Sequence, residues 1–132
     1  MNNSNQLLEE VKEQFSNFPK PTTIYSMEPY VKEPDNYRLM LQNKYASNIS
    51  RELTLHDYSQ ILIENVLISD ETILYLMPKL TELFLFQELD PFFFYSRLEI
   101  IDKSHLMVSQ IDCINKLIEY AKDKESHLES GT

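Results

Sequence analysis

Residues 74–100, LYLMPKLTELFLFQELDPFFFYSRLEI, form the most apolar stretch of a chain that is otherwise acidic and polar. A membrane anchor, a binding surface and a core helix would each account for it, and they imply different proteins. A spanning helix needs about 20 mostly apolar residues, and charge near its centre is strongly disfavoured. Residues 66–86 carry Asp70, Glu71, Lys79 and Glu82, with Pro78 in the middle. When positions advance by about 100° each, Ile73, Leu76, Met77, Leu80, Leu83 and Phe84 make one wide stripe, extended by Leu74 and Leu85. Glu71, Tyr75, Lys79 and Glu82 fall on the opposite side, with Phe86 beside them. A helix wet on one narrow face is the central helix of a bundle, so no membrane partner is expected.

The punctuation around this helix agrees. Ser69 offers a hydroxyl cap, and Asp70 and Glu71 place carboxylates at the positive end of the helix dipole. Pro78 removes one backbone donor and crowds the carbonyl of Leu74, which predicts a kink or a break into two shorter helices. At Asp90-Pro91 the pattern restarts, with Asp as N-cap and Pro at the first helical position. Phe94, Leu98 and Ile101 then make the buried stripe, flanked by Phe93 and Ile100, while Phe92, Tyr95 and Glu99 point elsewhere and Phe92 is expected to be partly exposed.

At 132 residues the chain has room for one domain, residues 1–132, whose core can bury roughly two thirds of the surface of the unfolded chain. Leu7, Leu8, Val11, Phe15 and Phe18 space out an N-terminal helix that ends before Pro19. Further helices are predicted from a cap at Asp35 through Tyr37, Met40, Leu41 and Tyr45, and after Thr54 with Tyr58, Ile61 and Leu62. A last one is predicted from Ser104, with Val108, Ile111, Ile114, Leu117 and Ile118 on its buried side. The charged tail, 122–132, is expected to fray. The fold class is therefore an all-α bundle of five or six helices. The exception is FPKPTTIYSMEPYVKEP, residues 18–34, which holds four of the six prolines and reads as extended, with room for a short strand at Thr22–Tyr25.

Charge narrows the partners. Acidic residues outnumber basic ones 21 to 12, a formal charge of −9, so the summed field repels nucleic-acid phosphates and anionic lipid. The same field attracts a basic protein and speeds its encounter. The single cysteine, Cys113, excludes an internal disulfide and reads as a small packing residue. No signal-peptide pattern opens MNNSNQLLEEVKEQF, and a reducing cytoplasm is the expected location.

Chemistry-bearing motifs are sparse. The one glycine, Gly131, rules out a glycine-rich phosphate loop. His56, His105 and His127 are too scattered for a zinc helix, and Asp102 with His105 is half of a carboxylate-bridged metal motif without its other half. Asp102-Lys103-Ser104 reads instead as a helix start. No cofactor, no metal and no catalytic residue is expected. Glu9 and Glu13 share a solvated helix face. In the proline-rich segment Tyr25, Glu28, Tyr30, Glu33 and Asp35 interleave aromatic and acidic groups, which suits either packing over the bundle or docking onto Arg and Lys of a partner.

The stretch I68-S69-D70-E71-T72-I73-L74-Y75-L76-M77-P78 resembles the Leu-(Ser/Thr)-x-Glu, Tyr-Leu-x-Pro signature of a family of small uncharacterised bacterial helical proteins. In that family a later Gln opens a terminal helix, as Gln110 would here. The resemblance spans roughly residues 55–121, with Ile68 in place of the Leu and Tyr58 where the family has a tryptophan. It implies a helical fold and a bacterial origin, and no activity.

Two functions fit these observations. The first is a binding module of immunity or antitoxin type that neutralises a basic toxin domain, nuclease-like, through Tyr25, Glu28, Tyr30, Glu33, Asp35 and Phe92. The second is an enzyme or ligand-binding bundle whose site is assembled from His56, Asp57 and Tyr75.

Overall fold

The computed structural model describes residues 3–25, 36–46 and 53–130. Among them the chain is a single all-α domain of six helices: α1 Asn3–Phe15, α2 Asn36–Ala46, α3 Leu55–Ile63, α4 Asp70–Phe86, α5 Pro91–Glu99 and α6 Val108–Ser130. A 3-10 turn, Asn65–Leu67, joins α3 to the approach of α4. Asn65 opens that turn with φ 51°, a left-handed conformation that Asn tolerates and that falls to it here because the only glycine is Gly131.

Helix α4 is the centre of the core. Ile73, Leu74, Leu76, Met77, Leu80, Leu83 and Phe84 are all buried, as their spacing requires, and α1 packs against this helix. The Ser69 hydroxyl accepts the Thr72 N–H at 3.1 Å and caps the helix. Pro78 does not break it. One continuous helix runs from Asp70 to Phe86, because the apolar stripe on either side of the proline packs into the same core and outweighs one lost backbone hydrogen bond. On α5, Asp90 caps as expected, its Oδ1 accepting the N–H groups of Phe92 at 2.8 Å and Phe93 at 3.3 Å. Phe94 stacks on Phe84 with ring centroids 4.7 Å apart, locking α5 onto α4.

Three expectations fail at the periphery. The last helix starts at Val108, not near Ser104, and Val108 is 74% exposed. Asp102 folds back to accept the Ser104 N–H at 3.0 Å, forming a turn, while the Gln110 side chain accepts the Met107 N–H at 2.9 Å and so fixes the start of α6. Its buried side is Gln110, Cys113, Ile114, Leu117 and Ala121. Second, the tail from Lys122 does not fray within the described residues, since α6 continues to Ser130. Lys122 pairs with Glu99 at 2.8 Å, Glu125 accepts the Tyr95 hydroxyl at 2.7 Å, and Lys124 donates to the Phe84 carbonyl at 3.0 Å, where a cation suits the negative end of α4. Third, Met40 faces outward on α2, and Leu41 and Tyr45 carry its buried side.

The start of the proline-rich segment is tied down. Thr22–Tyr25 does not form a strand; a single antiparallel bridge pairs Tyr25 with Ile68, and the Ser69 N–H donates to the Ile24 carbonyl at 3.0 Å. Residues 26–35 lie outside the described residues. No helix among the described residues is long and apolar enough to cross a membrane.

Candidate functional site

Tyr25, one of the aromatic residues expected to dock a partner, is core instead. It is 4% exposed, its hydroxyl donates to Glu64 Oε1 at 3.1 Å, and its backbone is held by the bridge to Ile68. Glu64 also accepts Arg38 Nε at 2.8 Å, so the anchor points on both sides of residues 26–35 converge on the end of α3. Glu28, Tyr30, Glu33 and Asp35 themselves lie outside the described residues.

Phe92 sits elsewhere. The segment's anchors meet at the approach to α4, whereas Phe92 opens α5 just beyond the far end of α4, about 25 Å away along a helix of 17 residues. The structure therefore does not bring Phe92 together with the flanks of the proline-rich segment. It brings Phe92 to a different set of groups. Phe92 is 48% exposed and packs edge-on against Phe93 and Tyr95, both at 5.6 Å between centroids. Phe86, 47% exposed, closes α4, and the turn between them presents Gln87, Glu88 and Asp90 to solvent. Along the chain, two aromatic rings half out of the core thus flank two exposed carboxylates in the turn from α4 to α5. Phe86 was visible in the sequence as an aromatic on the wet side of the α4 stripe.

The alternative site does not assemble as a polar pocket. His56 is exposed. Asp57 is buried but fully engaged in the fold: its Oδ2 accepts the Thr54 N–H at 3.0 Å while its own N–H donates to Thr54 Oγ1 at 3.1 Å, and Lys44 Nζ lies 3.2 Å from the same carboxylate. Burial pushes the Asp57 carboxyl up, but the Thr54 N–H and the Lys44 ammonium outweigh it and hold the group below its ordinary value. Of the three residues only Tyr75 lines the neighbouring groove, a hollow of about 360 Å³ among Tyr45, Tyr58, Leu76, Lys20 and Lys79. Burial pushes the phenols of Tyr45 and Tyr58 up to about 12 each, so neither is a base at neutral pH. Cys113 is buried, and burial with the nearby Glu10 pushes its thiol up to about 12, which leaves it an unreactive packing group.

One polar cluster was not foreseen. Arg97 is 2% exposed; its Nη2 donates to the Ile68 carbonyl at 2.8 Å and to Asp70 Oδ1 at 2.7 Å, and Asp70 Oδ2 accepts the Asp102 N–H at 3.0 Å. Nε and Nη1 of Arg97 make no hydrogen bond and are sealed from solvent. The signal was present in the spacing, because Arg97 falls between Phe94 and Leu98 on the buried stripe of α5. Among the described residues no group of three His, Cys, Asp or Glu side chains is placed to hold a metal ion.

Comparison of the chain with protein-family models, with curated proteins and with solved structures gave no match.

Proposed function

We propose that this chain is a small acidic binding module that neutralises a basic protein by direct docking, in the manner of a bacterial immunity or antitoxin protein. The partner class is a basic toxin domain, nuclease-like, met in the reducing interior of the cell. The observation that carries the reading is the corner between α4 and α5. There Phe86 and Phe92 stand half out of the core around Glu88 and Asp90, on a chain of net charge −9. Aromatic side chains anchor protein interfaces because they bury a large rigid surface, and carboxylates around them steer and orient a cationic partner. Phe86 and Phe92 are the anchors; Glu88 and Asp90 provide the steering charge.

Glu28, Tyr30, Glu33 and Asp35 form a second acidic and aromatic set in this proposal. Their described flanks belong to the opposite end of α4. The decisive experiment is genetic. The basic domain encoded beside this gene is expressed in a bacterial host with and without this chain. Rescue of growth, together with a stable one-to-one complex in gel filtration, is the expected result. Toxicity that persists with both proteins present, or a neighbourhood that encodes no basic domain, contradicts the reading.

A further inference from the structure

The groove beside α4 supports a second site, independent of the docking corner. Tyr75, Leu76 and Pro78 of α4 line it together with Tyr58 of α3 and Tyr45 of α2. Its volume, about 360 Å³, falls at the small end of the range of ligand pockets, about 300–1,000 Å³, and such sites combine mostly apolar walls with a few convergent polar groups. The described walls here are flat rings and aliphatic carbons.

Both charged residues at the described walls already have partners. Lys79 Nζ lies 3.1 Å from Glu82, and Lys20 Nζ stands 4.9 Å from the centre of the Tyr45 ring, a cation–π contact. Neither ammonium calls for an anion, and the two together disfavour a further cation. A neutral ligand is what suits the groove.

The unused polar capacity lies in the phenols. Among the described residues no hydrogen bond joins the hydroxyl of Tyr58 or of Tyr75 to the protein. Tyr58 is only 4% exposed, yet its hydroxyl is not sealed in the core as that of Tyr45 is, so the oxygen opens onto the hollow that its ring lines. Burial, with Tyr75, Asp57 and Glu82 nearby, pushes the Tyr58 phenol up to about 12 and keeps it protonated. A protonated phenol donates, and the partner it lacks is an acceptor oxygen.

We propose that this groove binds a small neutral planar aromatic molecule carrying a carbonyl, with its ring against the apolar walls and its carbonyl oxygen accepting from the Tyr58 hydroxyl. A planar ring matches walls that offer flat aromatic faces. The carbonyl gives a nearly buried donor the bond that the fold does not supply, whereas a ring without an acceptor would cover that donor and leave it unbonded. An anion would lose its hydration and gain nothing from cations that are already engaged.

The test titrates 2-naphthamide into the whole chain and follows the NMR shifts of isotope-labelled tyrosine rings. Saturable one-to-one binding with a Kd below about 1 mM is expected, with the shifts centred on Tyr58 and Tyr75. Naphthalene, which has no acceptor, and the anion 2-naphthoate are both expected to bind more weakly. Tyr58→Phe removes the hydroxyl and keeps the ring; it is expected to weaken 2-naphthamide roughly two- to tenfold and to leave naphthalene unchanged. Tyr75→Leu removes one aromatic wall and is expected to weaken both; if it does not fold, Tyr58→Phe still decides. Absence of saturable binding, shifts confined to tyrosines outside the groove, tighter binding of 2-naphthoate than of the amide, or an amide affinity unchanged in Tyr58→Phe overturns the assignment. Tyr58→Phe leaves Phe86, Glu88, Asp90 and Phe92 in place, so its effect here is separate from any effect on a protein partner.

Discussion

The two ends of α4 use their side chains in opposite ways. At the start of the helix the polar groups are tied to one another: Ser69 caps Thr72, Asp70 holds Arg97 and the turn at Asp102, and Tyr25 and Arg38 share Glu64 a few residues upstream. At its far end Phe84 is buried under Phe94, but Phe86 and Phe92 emerge beside Glu88 and Asp90, which face water. Both ends contain carboxylates and aromatic rings. The first end ties them to one another across the chain, whereas at the second only Asp90, capping α5 through the Phe92 and Phe93 N–H groups, is bonded into the fold, and the exposed groups that folding does not require are the ones available to a partner. Substitutions at the first end should therefore change stability, and substitutions at the second should change binding.

The largest effect is expected between the two ends. Leu80 is fully buried at the middle of α4, and Leu80→Ala should cost about 2–5 kcal/mol, read as a loss in denaturant midpoint at unchanged slope. An unaltered midpoint would remove α4 from the centre of the core. Next comes Arg97→Ala, which should cost about 3 kcal/mol, the low end for breaking a buried ion pair because Asp70 still reaches solvent. Arg97→Met should cost clearly less, since it keeps the buried stem and removes two unsatisfied nitrogens. If Met proved as harmful as Ala, the ion pair rather than the packing would be the stabilising element.

Charge reversal sharpens the comparison further. Glu88→Lys is expected to slow association with the basic domain roughly tenfold at low ionic strength, with little change in dissociation rate or melting temperature. Glu33→Lys with Asp35→Lys tests the second acidic set by the same stopped-flow measurement. A larger effect from that pair than from Glu88 would move the steering charge to the other end of α4. The smallest effect concerns acid. Because the folded Asp57 carboxyl titrates below its ordinary value, its contribution to stability is present above about pH 4 and is lost as pH falls through the folded pKa. Asp57→Asn should lower stability at pH 7 and flatten the loss below about pH 4; an acid-unfolding curve with the same slope as the wild type would contradict this.

How much of this was legible follows from the range of the interactions. The α4 stripe, the Ser69 and Asp90 caps and the outward Phe92 are set by neighbours within one or two turns, so spacing alone predicts them. Tyr25 read as a docking aromatic because its proline-rich neighbourhood looks open, yet its partners Ile68 and Glu64 lie about forty residues along the chain. Arg97 was passed over for the same reason, its acceptors being 27 and 29 positions away. The tail read as loose because its charges have no local partner, whereas Lys122, Lys124 and Glu125 find theirs on α4 and α5. At the candidate site, the aromatic pair was visible as two outward rings on separate helices, flanking the turn that joins them.

The most direct test of the docking account is the affinity of the Phe86→Ala, Phe92→Ala double variant for the basic domain, measured beside its melting temperature. Losing an anchor of this kind typically costs about 2 kcal/mol, so the predicted result is a Kd weakened about thirtyfold or more while the fold melts within a few degrees of the parent. An unchanged Kd in a folded double variant would contradict the central claim.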